Sequence, residues 1–340
     1  MRYIILFALL TIIGSIIFVP AILTLFVRFA AEGQILEPPP KKTQIPKELV
    51  INVYLEDTKN IISLNLEEYV KKVVAAEMPA EFELEAVKAQ AVASRTYAVK
   101  QMKAFGGSGH PKQPGADISS SYAYGQAFAQ EIDLRKQWGE HYEKYWDKIT
   151  AAVDLTQGLV LTYNGEIIRA AYHSTSGAKT ASAGEVWGVD YPYLKSVECS
   201  WDKLSPRYFT VKEISLKELR EKLGAEVAIP AEVPVTSPNP FISILERTES
   251  GRVRKIKIGA KNFSGEEVRE KLKLLSTNFT VERADNKFFI KTTGYGHGVG
   301  LCQYGANGQA KEGRDFRQIL NYYYQDVTLR NIFDVDTTSA

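Results

Sequence analysis

The spacing of apolar residues changes once between residues 48 and 99. Glu48 to Glu56, ELVINVYLE, alternates apolar and polar positions and predicts a strand. From Leu66 the period lengthens, and Leu66, Tyr69, Val70, Val73 and Val74 recur at the i, i+3, i+4, i+7 spacing of an amphipathic helix. Glu77 falls near the middle of that apolar stripe, whereas Glu67, Glu68, Lys71 and Lys72 lie outside it. Pro79 stops the helix and leaves Glu77 in its last turn. A carboxylate on the packed side of its own helix is costly unless it is paired, protonated or used. Burial and the negative end of the helix dipole both raise its pKa. A carboxyl held protonated near neutrality suits a general acid; a core-facing salt bridge is the plainer reading.

The remaining pattern predicts an α+β chain. Phe82 to about Lys103 reads as a second helix, with Arg95 on the same stripe as Leu84, Val87, Ala91 and Ala98. An arginine placed there meets a carboxylate, Glu77 among the candidates, or substrate oxygens. Phe105 to Tyr124 reads as a long loop, with His110 solvated. A helix over Trp138 to Val153 precedes two strands joined at Asn164-Gly165, a strong hairpin signal. His173-Ser-Thr-Ser-Gly177 ends the second strand, placed either to bond a polar ligand or to lie in solvent. Residues 190–290 read as a second lobe. It has a helix over Ser215 to Leu223, a Pro-rich connection over 229–240 and a hairpin around Glu249-Ser-Gly251. A capping box at Ser264 and Glu267 and a hairpin around Asp285-Asn286 complete it. Thr293 to Gln309 holds six glycines, which implies positive φ or close backbone approach. His297 sits there between Gly296 and Gly298 with little local cover, and Gln303 and Tyr304 supply an amide and a phenol of the kind that grip sugars. Tyr322 to Tyr324, in a last helix over Arg314 to Tyr324, read as packing.

Composition narrows the partners. Lys and Arg total 42 and Asp and Glu total 40; Arg2 and Arg28 precede every acid, leaving 40 against 40 from residue 29 onward. A neutral ectodomain makes no case for nucleic acid and none against an uncharged polymer. Tyr3 to Val27 is an uncharged, mostly apolar run of 25 residues, long enough for an uncleaved membrane anchor. A signal peptide is the rival reading. Glu37-Pro-Pro-Pro begins a stiff tether within residues 29–47, so the globular part is expected outside the cytoplasmic membrane. The expected organisation is an anchor at 1–28, a tether at 29–47, a core from 48–189 with 291–330, a second lobe at 190–290 and a tail at 331–340. A groove should run between the lobes, with Glu77 on its floor and the glycine-rich loop on a wall. Cys199 and Cys302 can pair or pack singly, and neither they nor the four histidines show zinc-site spacing.

Four ordered motifs, VVAAEMPAEFELEAVKAQAVASRTYAV, LTYNGEIIRAAYHSTSGAKT, EVWGVDYPYLKSV and GYGHGVGLCQYGANGQAKEG, resemble the stage II sporulation protein D family. These are membrane-anchored lytic transglycosylases of endospore formers, and relatives carry the same domain as activators of wall amidases. The resemblance runs from about residue 48 to about 325. It implies that Glu77 is the catalytic acid and base. It implies substrate contacts at Gln90, Arg95 and Tyr97, at His173, Ser174, Ser176 and Thr180, at Tyr193 and Lys195, and at His297, Gln303 and Tyr304. Ala178 departs from a common glycine and Cys302 from a common serine. Some relatives bind zinc through added Cys and His near the His173 motif; Cys199 is the only cysteine at all near it here, so no metal or other cofactor is carried over.

The implied reaction cleaves the MurNAc-β-1,4-GlcNAc bond of peptide-stripped strands without water. The C6 hydroxyl attacks and leaves a 1,6-anhydro ring. One carboxyl serves both steps, whereas a hydrolase ordinarily needs a second one about 5–10 Å away. Asp117, Glu185, Asp190 and Asp202 are the candidates for that second group. The implied setting is forespore engulfment at the mother-cell membrane, beside a wall amidase and a membrane scaffold protein. The alternative is a non-catalytic glycan-binding protein that activates an amidase.

Overall fold

The alternating segment folds as strand β1 (Val50–Tyr54), antiparallel to β2 (Ile61–Asn65) with Val53 opposite Ile62. On its other edge β1 pairs in parallel with β3 (Ile118–Ser119), which interrupts the segment expected to be all loop. In this computed structural model the described residues are 48–121, 124–224, 241–284 and 287–335. The expected anchor, the tether and the 229–240 connection lie outside them. Among the described residues no helix is long and apolar enough to cross a membrane.

Asn65 ends β2 and accepts the N–H of Glu67, which starts helix α1 (Leu66–Glu77) with a satisfied first turn. Its predicted stripe, Leu66, Tyr69, Val70, Val73 and Val74, is buried throughout. Met78, the residue before proline, turns to φ −124° and ψ 136°, so the helix ends at Glu77. Helix α2 (Leu84–Gln101) is the centre of the molecule. Ala86, Ala89, Ala91, Ala93 and Ala98 are all buried, and their short side chains let neighbours approach on several sides. Around it pack α1, the later of the helices α3 (Glu131–Trp138) and α4 (Tyr142–Asp154), and strand β4 (Leu159–Tyr163). The helix expected over 138–153 is α4, which starts at Tyr142, and α3 is an additional helix before it, separated where Gly139 takes φ 52°.

β4 turns through Asn164 and Gly165, both at positive φ as a type I′ hairpin requires, into β5 (Glu166–Ile167). The short strands β6 (Tyr172–His173), β7 (Ala178–Lys179) and, after helix α5 (Ala183–Trp187), β8 (Glu198–Cys199) carry the second motif. Tyr193, Leu194 and Cys199 pack in the first hydrophobic core, so the second core begins later than the expected residue 190.

That second core is built on two three-stranded antiparallel sheets. β9 (Phe209–Ser215) runs into helix α6 (Leu216–Leu223). β10 (Ile242–Arg247), β11 (Val253–Ile258) and β12 (Lys261–Ser264) form one sheet, and Ser264 caps helix α7 (Gly265–Leu272) through the expected capping box. β13 (Phe279–Ala284) and β14 (Lys287–Thr293) join β9 in the other. Ile214, Leu219, Ile256, Phe263, Val268, Phe288 and Ile290 fill the space between. The chain then returns to the first core through β15 (Leu301–Cys302), α8 (Gln303–Lys311), α9 (Phe316–Tyr323) and β16 (Thr328–Asn331), the last paired with β4. The second half of the glycine-rich stretch is therefore helical. Tyr323 and Tyr324 are fully buried, and Ile332 is buried beyond the expected end of the fold. After Lys47 the residues form one compact unit holding both cores.

Arg95 does not meet Glu77. It is fully buried on α2, and its guanidinium clasps Glu67 of α1 with Nη2–Oε2 at 2.6 Å and Nε–Oε1 at 2.9 Å. Its other donors reach the carbonyls of Val153 and Leu159, and Glu67 also accepts the amide of Gly158. Arg95→Met leaves a largely buried carboxylate without its cation and should cost about 3–5 kcal/mol, whereas Arg95→Met with Glu67→Met should cost much less. Urea unfolding of the two variants against wild type checks both.

Candidate active site

Glu77 sits where α1 stops, and three further segments close on its carboxyl. Oε1 accepts the backbone N–H of Ala127 at 2.8 Å and the hydroxyl of Tyr172 at 3.3 Å, and the amide of Gln303 is a third partner. The tyrosine is itself aimed. Tyr69 of α1 donates to Oε1 of Gln126 at 3.1 Å, and Nε2 of Gln126 donates to the Tyr172 oxygen at 2.7 Å. That leaves the Tyr172 proton for Glu77, so every donor in the chain points toward the carboxylate. Burial holds both phenols well above their usual pKa, so they stay protonated.

Two effects compete at this carboxyl. Desolvation favours the neutral acid, and the hydrogen bonds from Ala127, Tyr172 and Gln303 favour the anion. Desolvation wins, and the pKa is raised to about 7. Because Oε1 is taken up by donors, the proton of the neutral form belongs on the other oxygen. Such a group changes charge at neutral pH, with a donor array already in place for its anion. It can give a proton and take one back.

The other expected contacts divide into three sets. Gln303, Tyr97 and Gln90 belong with Glu77. Gln90 is fully buried, bonded to Ser94 at 2.9 Å and accepting from Gln303 at 3.3 Å, so it holds Gln303 rather than a ligand. Tyr97 is half-buried and feels both Glu77 and Arg169.

Tyr97 also lines a cavity of about 620 Å³ with Tyr163, Tyr191, Tyr193, Lys100 and Arg169. The Tyr193 ring meets Tyr191 at 5.6 Å and Tyr163 at 5.5 Å, tilted against both, and its hydroxyl accepts the N–H of Arg169. Glu77 does not line this cavity; Tyr97 links the two. Lys195 is exposed.

The third set is structural, which corrects several expectations. His173 is buried; Nδ1 donates to the carbonyl of Val299 at 3.1 Å, which leaves Nε2 to accept from Ser176 at 2.9 Å. Ser176 and Thr180 are fully buried, the latter bonded to the backbone of Val197. None of these three, nor Arg95, has a polar group free for substrate. Ser174 and Tyr304 are half-buried and joined by the amide of Tyr304 and the carbonyl of Ser174; the Tyr304 ring meets Phe82 edge-on at 4.9 Å. His297 is less open than its glycine neighbours suggest, facing His173 at 5.7 Å and Trp187 at 5.5 Å. Burial, then Arg269 and Arg252, lower it to about 4, so it is a neutral imidazole at working pH. His110 is also buried, edge-on to Tyr54, not solvated.

The flanking glycines serve packing. A Cβ at Gly296 would press on His173, and one at Gly298 would collide with the guanidinium of Arg252. That arginine, buried just before β11, donates to the carbonyls of Ser176 and Lys179 and so binds the His173 loop to the second core. Three of the candidate second carboxylates are used in the same way. Asp117 accepts the amides of Asn52 and Lys103, Glu185 those of Ser182 and Ser250, and Asp202 that of Gly177.

Sequence reasoning missed Tyr69 as a donor, and also Gln126, Ala127 and Tyr172. Tyr172 had a signal, being beside His173 on a strand, where successive side chains face opposite sides. Gln126 and Ala127 had none.

Residues 54–163 match the stage II sporulation protein (SpoIID) family model, and residues 206–300 match a domain of unknown function (DUF8618). The chain is 40% identical to stage II sporulation protein D of Bacillus subtilis (strain 168), over 81% of this chain and 77% of the relative. It is 32% identical to an uncharacterized protein of Brachyspira hyodysenteriae, over 80% of this chain and 69% of the relative. With the amidase enhancer of Bacillus subtilis it shares 27% identity, over 76% of this chain and 40% of the relative.

Removing a donor to the anion should raise the pKa of Glu77 further. Tyr172→Phe is expected to shift it up by about one unit, read by carboxyl NMR titration. A linked stability effect has a definite sign. Between the ordinary 4.5 and the raised value of about 7, the folded chain binds this proton more tightly than the unfolded one. Wild-type stability therefore falls from this group as pH rises through that window. Glu77→Gln lacks the ionisation, so its thermal midpoint should gain on wild type between pH 5 and pH 8.

Proposed function

The chain belongs to the stage II sporulation protein D family, and we propose that it is a peptidoglycan lytic transglycosylase with Glu77 as its acid and base. The observation that carries this reading is the carboxyl raised to about 7 among three donors, beside an aromatic cavity. In its neutral form Glu77 protonates the bridging oxygen of the MurNAc-β-1,4-GlcNAc bond. The resulting carboxylate, stabilised by Ala127, Tyr172 and Gln303, takes the proton of the MurNAc C6 hydroxyl as that oxygen attacks the anomeric carbon. One bond to the anomeric carbon breaks, one forms, and the carboxyl regains its proton. The substrate supplies the nucleophile, so no second carboxylate is required. The use of Asp117, Glu185 and Asp202 as backbone acceptors supports a single-carboxyl mechanism.

Tyr97 and Tyr191 offer ring faces on which sugars stack, with Tyr193 packed against Tyr191, and the proposed substrate is glycan already stripped of its peptides. In the same reading the chain is held in the mother-cell membrane by residues 1–28 and acts outside it during engulfment. A wall amidase prepares its substrate and a membrane scaffold protein places it. A second reading, glycan binding that activates an amidase without cleavage, is favoured by the similarity to the amidase enhancer.

The purified full chain, given peptide-free glycan, should release 1,6-anhydro-MurNAc products detectable by mass spectrometry. Glu77→Gln should lower that rate by about 10²–10⁴-fold. Because the acid form is needed, kcat/KM should fall as pH rises past about 7. Reducing-end MurNAc products would instead indicate a hydrolase. Amidase stimulation equal in both forms, with cleavage in neither, would favour the activator.

A further inference from the structure

Cys199 and Asp202, three residues apart, meet Cys302 from 100 residues further along the chain. Cys199 ends β8, Asp202 lies in the 3-10 turn Ser200–Leu204, and Cys302 ends β15 and caps α8 by accepting the N–H of Gly305. All three are fully buried, both cysteines are free, and one donor atom from each lies within 4.8 Å of the others. The carboxylate of Asp202 faces the amides of Ser176, Gly177 and Ala178 but is unevenly bonded. Its Oδ2 accepts the amide of Gly177 at 2.9 Å and stands 3.6 Å from Cys302 Sγ, whereas its Oδ1 is buried without a hydrogen-bond partner. An orphaned carboxylate oxygen in a dry site is costly and calls for an explanation. Two sulfurs and a carboxylate oxygen are a donor set suited to zinc-like ions.

We propose that Cys199, Cys302 and Asp202 form a structural site for a thiophilic divalent cation of the zinc class. Ligand distances of about 2.0–2.3 Å in a tetrahedron separate the donor atoms by roughly 3.5–3.8 Å, so closure requires movement of about 1 Å. The Tyr323 hydroxyl, 3.3 Å from Cys199 Sγ, is placed to orient that ligand from outside, as supporting partners do at metal sites. Charge is conserved. The ion enters as the two thiols lose their protons to solvent, so the buried cluster keeps its net charge. Arg252, within electrostatic reach of Asp202 and Cys302, offsets the carboxylate in either state. The ion would pin the first turn of α8, where Gln303 bonds Gln90 and Glu77. This inference does not depend on the glycan-cleaving reading.

The test uses the full chain, purified with reductant, stripped with a chelator and titrated with Co²⁺ alone and then Zn²⁺. A thiolate-to-cobalt charge-transfer band should saturate at one ion per chain, disappear on Zn²⁺ addition and appear at lower metal as pH rises. Zn²⁺ should also raise the thermal midpoint. Cys199→Ser and Cys302→Ser should each weaken the band, and Cys302→Ser keeps an oxygen to cap α8. Asp202→Asn should retain the band and lower affinity about tenfold or more. No saturable band in the wild-type chain overturns the proposal without reference to any variant. So does a band that survives in the double serine variant, or a Cys199–Cys302 disulfide in chain isolated without reductant.

Discussion

The clasp of Arg95 on Glu67 sets the geometry from which the site follows. It joins α1 to α2 by paired hydrogen bonds, and the remaining donors reach the end of α4 and the start of β4. Four elements are thereby held at one buried point, and the rotation of α1 is set at its first turn. Glu77 is at the other end of that helix, so its direction is inherited from the clasp. The pair is costly to desolvate and tolerable because nearly every donor and both carboxylate oxygens have partners. What such a pair contributes is orientation more than stability.

At Glu77 the molecule holds an opposed pair of forces close to balance. Burial alone favours the neutral acid, and the three donors alone favour the anion. Their sum leaves it near 7, where either form is reached at little cost. The Tyr69–Gln126–Tyr172 chain matters because it fixes the direction of each proton. In the orientation found, the Gln126 amide accepts from Tyr69 and donates to Tyr172, and that sense delivers a donor to Glu77.

The second core, though it lacks reactive groups at the carboxyl, is part of the same mechanical unit. Arg252 reaches from the turn before β11 into the loop that carries His173, Ser174 and Ser176, and Gly298 makes room for it. The amides of Gly294 and Gly296 bond to Tyr208 and Leu275 from the same side. Residues that resemble a catalytic motif, the buried histidine and hydroxyls, thus hold the glycine-rich segment in shape, and α8 then presents Gln303. Positioning and chemistry are carried by different residues of one motif.

The sequence by itself determined what depends on near neighbours. The stripe of α1, its stop before Pro79, the place of Glu77 on its packed side, the Asn164-Gly165 hairpin and the Ser264 capping box all rest on spacings of a few residues, and local sterics act at that range. The similarity of four motifs added the family. Tertiary structure decided which groups pair. Arg95 could meet either acid from its place on a helical stripe, and packing gave it to Glu67. The hydroxyls of Ser176 and Thr180 could face solvent or the interior, and the strands turned them inward. Ala127 and Tyr172 reach Glu77 from 50 and 95 residues away, and Cys302 meets Asp202 across 100. No periodicity records such meetings, because hydrogen-bond direction and burial are properties of the assembled core.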